Sequence, residues 1–110
     1  MPVLDLNTFN TLKESAGDDF ISELIDAFLE DAMKQMNEMK TAVGEHNVDA
    51  FRRAAHSLKS NAATFGASDL HALARELETM GREQNLDVGN RLEVLKEAFE
   101  LVKKQLSELR

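Results

Sequence analysis

Three histidines, His46, His56 and His71, and no cysteine leave imidazole as the strongest nucleophile this chain of 110 residues can offer. His56 has the most informative neighbours. With about 100° per residue for an α-helix and Phe51 as origin, Ala55, Leu58, Ala62 and Phe65 project within about 40° of it, the pattern of a buried face. His56 projects about 140° away, on the wet side. Arg52 at about 100°, Lys59 at about 80°, Ala63 at about 120° and Ser60 at about 180° surround it. Arg53 follows Arg52 as part of the same basic, partner-facing or solvated patch.

An exposed imidazole on a rigid helix, bordered by cations and small side chains, suits phosphoryl chemistry. Imidazole titrates at about 6.5, so near neutral pH much of it holds a bare lone pair and acts as a nucleophile. A phosphoryl group on the ring brings roughly two negative charges, which Lys59, one turn along, offsets as a point charge. Ser60 and Ala63 are small, which leaves open surface for another protein to bring its reactive group to His56. Acyl transfer fits less well. The chain has no Gly-x-Ser-x-Gly elbow, and no carboxylate lies one helical turn from His56 to orient it. His46 reads as a turn residue and His71 as a flank residue of a later helix, edging toward the His56 side. Neither reads as part of a helical metal site, so no metal is expected.

Composition narrows the classes further. Thirteen Lys and Arg against 20 Asp and Glu give a net charge of -7, which argues against a general binder of nucleic-acid backbones. No apolar run approaches the roughly 20 residues that span a bilayer, and Met1 to Asp5 lacks the charged-then-apolar pattern of a signal peptide. A cytoplasmic protein with neither nucleic acid nor membrane as partner is the expectation. Without cysteine there are no thiolate nucleophiles, Cys-bound zinc or iron–sulfur clusters.

The elements that must position His56 are helices. One Pro, five Gly and abundant Leu, Ala, Glu, Lys and Met favour them. A short first helix is expected from about Asn7 to Glu14, with Asp18 or Asp19 capping the second. The second carries Ile21, Leu24, Ile25, Phe28, Ala32, Met36, Met39 and Val43 on one face, with Met33 as core or core-edge filler. It stops near Gly44 to His46. Asn47 caps the third helix and Gly66 ends it. Ser68 caps the fourth, whose seam is Leu70, Leu73, Leu77 and Met80, with Gly81 a weak point late in it. After a loop around Asn85 to Asp87 the last helix places Leu92, Leu95, Phe99, Val102, Leu106 and Leu109 at three- and four-residue steps. The expected fold is all-α: one domain over residues 1–110, an antiparallel four-helix bundle with a short extra N-terminal helix as a lid.

The segment His56-Ser57-Leu58-Lys59-Ser60-Asn61-Ala62-Ala63-Thr64-Phe65-Gly66-Ala67 resembles the signature of histidine-containing phosphotransfer (HPt) domains, roughly His-x-Leu-Lys-Gly-small-small-x-x-Leu-Gly. Leu4-Asp5, Phe28 to Ala32, Phe51 to Ala55 and Leu73 to Glu78 extend the likeness over nearly the whole chain. The resemblance implies a multistep phosphorelay module in which His56 accepts a phosphoryl group at Nε2 from one receiver aspartate and passes it to another. It implies that Lys59 neutralises phosphoryl charge and that Gly66 makes the turn between the third and fourth helices. Ser60 stands where the family most often has Gly. Glu78 stands where several members have a Gln that bonds the imidazole; a carboxylate there can accept the Nδ1 hydrogen but also repels phosphate. Arg82, one turn beyond, can offset that repulsion. Arg52, Arg53, Ala63, Gly66, His71 and Arg75 are expected to meet the partner.

The expected partners are receiver domains of response regulators and hybrid histidine kinases, bound by a monomer that has no cofactor of its own, with Mg²⁺ supplied by the receiver's acidic site. The phosphoacceptor domain of a histidine kinase is a weaker fit, because Ser57 replaces the acidic residue after the histidine, no Pro follows Pro2, and no glycine-rich nucleotide loop occurs. A phosphotransfer domain of the chemotaxis-kinase type and a non-catalytic helical adaptor with an incidental histidine also compete with the relay module.

Overall fold

α1 (Leu6–Ala16), α2 (Asp18–Gly44), α3 (Val48–Phe65), α4 (Ser68–Arg82) and α5 (Arg91–Leu109) make up the computed structural model, which describes residues 3–110 and, among them, no strand. Each of α2 to α5 packs on the next, and α5 closes the ring against α2. Cross-helix contacts fix the directions. Phe28 of α2 stacks on Phe65 of α3 with ring centroids 4.6 Å apart, and Asn61 donates to Asp31 at 2.7 Å, so these helices run antiparallel. At the same end, Arg110 after α5 reaches Asp26 at 2.6 Å and the Ser22 hydroxyl at 3.0 Å near the start of α2.

The stripe expected on the third helix is the inner wall of the bundle: Phe51, Ala55, Leu58 and Ala62 are fully buried. Ile25 and Met39 of α2, Leu70 and Leu77 of α4, and Leu95, Phe99 and Leu106 of α5 meet them in one core. Each large apolar side chain so removed from water contributes roughly 1.5–3 kcal/mol. Leu24 and Met33 depart from the expected pattern, at 38% and 44% exposed. α2 is 27 residues long and α3 only 18. Phe65, the last residue of α3, already faces Phe28, so Leu24 projects one turn past the end of its neighbour.

Helix ends differ from expectation in detail. α1 is longer at both ends: the Asp5 carboxylate accepts from the amides of Asn7 and Thr8 at 3.0 and 3.4 Å at its start, and the Gly17 amide bonds to the Lys13 carbonyl at 2.9 Å at its close. Gly17, not Asp18 or Asp19, takes the cap position of α2, and the two aspartates sit in the first turn, facing the positive end of the helix dipole. Ala67 rather than Ser68 precedes α4, and the Ser68 hydroxyl instead donates to the Gly66 carbonyl at 3.4 Å. Asn47 caps α3 as expected, accepting from the amide of Ala50 at 3.1 Å.

Gly66 ends α3 in the left-handed region at φ 76°. Its carbonyl accepts from the Asp5 amide at 2.6 Å, and a Cβ on it would come within 2.7 Å of the Asp5 carbonyl oxygen. The α3–α4 turn is therefore clasped by the segment that starts α1. Gly66→Ala is expected to lower the unfolding free energy by about 1–3 kcal/mol through strain and clash. Gly44→Ala, in helical backbone with open space around it, should raise it by about 0.5–1 kcal/mol. Urea titration of both variants measures the pair, and equal effects would contradict this reading of the turn.

Candidate functional site

The outward face of α3 carries Arg52, His56, Lys59, Ser60 and Ala63, and antiparallel α4 lays Glu78 between the levels of His56 and Lys59. Glu78 is 3% exposed and is the only buried charged residue among those described. Its Oε2 lies 2.7 Å from His56 Nδ1, its Oε1 lies 2.6 Å from Lys59 Nζ, and Arg82 Nη2 approaches Oε2 at 3.4 Å. The His56 side chain remains 56% exposed, while that of Lys59 is drawn down to 24%.

Burial is the largest influence on the Glu78 carboxyl and by itself pushes its pKa up, since a charge out of water is costly. Hydrogen bonds from Lys59 and then His56, together with their charges, outweigh it, so the pKa lies below the ordinary glutamate value. The carboxylate is thus ionised at neutral pH and can only accept. Nδ1 of His56 must then carry the ring hydrogen, which leaves the lone pair on Nε2, toward solvent. An orienting carboxylate is therefore present, at the position where the family resemblance allowed Glu78 to accept the Nδ1 hydrogen. It comes from another helix, 22 positions away, and not from a neighbouring turn of α3.

Most of the cations expected around His56 are tied to carboxylates. Arg52 and Arg53 both pair with Asp49, at 2.9 and 3.2 Å, which holds Asp49 below the usual carboxylate pKa range. Lys59 and Arg82 both reach Glu78. Only Arg75 of this set has no ion pair among the described residues. Five cations against two carboxylates still leave the face positive on a protein of net charge -7. Ser60, Ala63, Arg75 and Arg82 are exposed. His71 is half-buried, its Nδ1 3.1 Å from the Lys59 carbonyl. Gly66 is buried beneath Asp5 and so lies off the surface a partner can touch. Asp49 was not singled out from sequence, although its i, i+3 and i, i+4 spacing to Arg52 and Arg53 signals both pairs. The bond between His71 and Lys59 has no sequence signal. Among the described residues no group of three His, Asp or Glu side chains is arranged to hold a metal ion, and no helix is long and apolar enough to cross a membrane.

A family model described as the Hpt domain matches residues 23–110. Among solved structures, the chain resembles histidine-containing phosphotransfer protein B of Pseudomonas aeruginosa, with a TM-score of 0.87 and 24% identity over 97% of this chain and 93% of that one. It also resembles a histidine-containing phosphotransfer protein of maize, with a TM-score of 0.84 and 19% identity over 97% and 88% of the two chains. At these identities the structural likeness speaks for the fold. A search of curated proteins found no match.

Because the folded Glu78 pKa lies below its ordinary value of 4.5, its contribution to stability is complete above that value and is lost as pH falls through the folded one. Acid titration of unfolding free energy should therefore show a shallower fall for Glu78→Gln than for the wild type. Parallel curves would mean that the ionised form gains nothing from Lys59 and His56.

Proposed function

Since the chain belongs to the Hpt domain family and its function is histidine phosphotransfer, we propose that His56 is the residue that carries the phosphoryl group, moving it between receiver domains. The observation that carries the assignment is the 2.7 Å contact from buried Glu78 to Nδ1 of a half-exposed imidazole. It fixes the tautomer with the nucleophilic lone pair on the accessible nitrogen.

In the proposed step Nε2 attacks the phosphorus of a receiver's aspartyl phosphate. The N–P bond forms as the P–O bond to the aspartate breaks, and the receiver's carboxylate leaves. Nδ1 keeps its hydrogen, and the positive charge that develops on the ring is balanced by Glu78, already placed and desolvated. The return step runs in reverse onto the aspartate of a second receiver, in a response regulator or hybrid histidine kinase. Lys59 sits between two anions, Glu78 now and the phosphoryl group later, and screens one from the other. Arg52, Arg53, Arg75 and Arg82, with small Ser60 and Ala63 and the edge of His71, form the docking face for a receiver whose acidic site supplies Mg²⁺. The chain acts as a monomeric, cytoplasmic phosphocarrier and not as an ATP-using enzyme. Its sequence has no glycine-rich nucleotide loop, so the phosphoryl group comes from a partner.

Incubation with a phosphorylated receiver should place acid-labile, base-stable phosphate on the wild type and none on His56→Gln, with helical circular dichroism unchanged. Glu78→Gln, whose neutral amide still accepts from Nδ1 but does not balance the ring charge, should label roughly five- to tenfold more slowly, the difference between a neutral and a charge-assisted bond. Equal labelling of wild type and His56→Gln would leave a helical adaptor with an incidental histidine.

A further inference from the structure

The geometry points to His71 as a second phosphoryl acceptor, modified at Nε2 by small N-phosphorylated donors. The proposal goes beyond the relay and does not depend on a docked receiver. His71 Nδ1 lies 3.1 Å from the main-chain carbonyl of Lys59. A carbonyl oxygen can only accept, so Nδ1 carries the hydrogen and Nε2 the lone pair. This is the protonation pattern of His56 reached through a different partner.

The surroundings suit a dianion. Arg75 stands four residues along the same helix, exposed and without an ion pair among the described residues, at the spacing that brings helical side chains together. Both residues line an open hollow of about 470 Å³ with Ala72, Thr79 and Met80. Two carboxylates share that hollow. Glu76 is already committed to Arg91 at 2.8 Å, and Glu83 lies three turns along from His71. His71 also lines a smaller hollow of about 150 Å³ with Ala63, Ala67 and Ser68 but also with Asp5, so charge directs the phosphoryl group toward Arg75. His71 is in the first turn of α4, its amide bonded to the Ala67 carbonyl at 2.8 Å, where the helix dipole favours negative charge.

With phosphoramidate as donor, Nε2 attacks phosphorus, the N–P bond to His71 forms, and the donor's P–N bond breaks. Ammonia leaves with its three hydrogens, Nδ1 keeps its own, and the ring takes up the positive charge that the donor's ammonium group gives up. The Lys59 carbonyl balances that charge less well than a carboxylate does, so His71 should be a slower acceptor than His56.

The test is incubation of the full chain with potassium phosphoramidate and site-resolved mass spectrometry without acid. His46 is the internal reference: it is exposed, sits in a left-handed turn at φ 56°, and neither of its ring nitrogens is bonded to a described residue. His71 should gain phosphate roughly fivefold faster than His46 despite being less exposed, as one orienting hydrogen bond allows, and more slowly than His56. In His56→Gln the residual label should map chiefly to His71, and in His56→Gln/His71→Gln only the slow label of His46 should remain. No label on His71, or a rate no greater than that of His46, overturns the proposal and leaves the His56 assignment standing. Label on His71 with none on His56 supports it and removes that assignment.

Discussion

A carboxylate held out of water is the constraint around which this site is built. Glu78, 3% exposed, is tolerable there only because an ammonium, an imidazole N–H and a guanidinium converge on its two oxygens. Such an arrangement need not add stability over an apolar replacement, but removing one partner alone strands a buried charge. The α3–α4 register is therefore not free to slide. Close packing supports the same register: Ala54, Ala55 and Ala74 are small and buried, and Gly81 lets the backbone of α4 approach Phe51 and Arg52 so closely that an added Cβ would lie 3.0 Å from Arg52 Cβ.

From that register follows the chemistry of the imidazole. Two helices contribute one group each, α3 the ring and α4 the acceptor, and neither helix alone defines which ring nitrogen is bare. In the proposed transfer Glu78 costs the site something as well, because a negative charge near a phosphoryl group on His56 is repulsive. Lys59 is drawn down onto the carboxylate itself and Arg82 reaches it from the solvent side, so the repulsion is screened at its source. What remains exposed is a basic face on an acidic protein, suited to meeting an acidic partner and weakened by salt.

The rest of the bundle is a support whose polar ties lie at its edges. Asp31, steadied by Gln35 one turn along α2, accepts from Asn61 and links α2 to α3, and Arg110 with Asp26 and Ser22 links the end of α5 to the start of α2. Exposed pairs of this kind contribute little individually. The apolar core holds the helices, and the clasp of Asp5 on Gly66 sets the turn from which α4 starts back along α3. That turn is six residues beyond Ser60, so an error in it would be carried directly to the face that presents His56.

Periodicity alone determined the five helices, the inner stripe of Phe51, Ala55, Leu58 and Ala62, the turn at Gly66 and the outward placement of His56, because helix faces and glycine stops are local properties of the chain. The same projection named Lys59, and the family likeness added Glu78 as a residue to watch, without settling what a carboxylate at position 78 does. Tertiary structure decided that. It put Glu78 against Nδ1, drew Lys59 inward, buried Gly66 and left Leu24 partly in solvent. Each of these depends on how far one helix extends past another and on which side chains meet across about 20 to 60 positions. A projection of single helices holds no such distances, since they arise only when the core fixes the helices against each other.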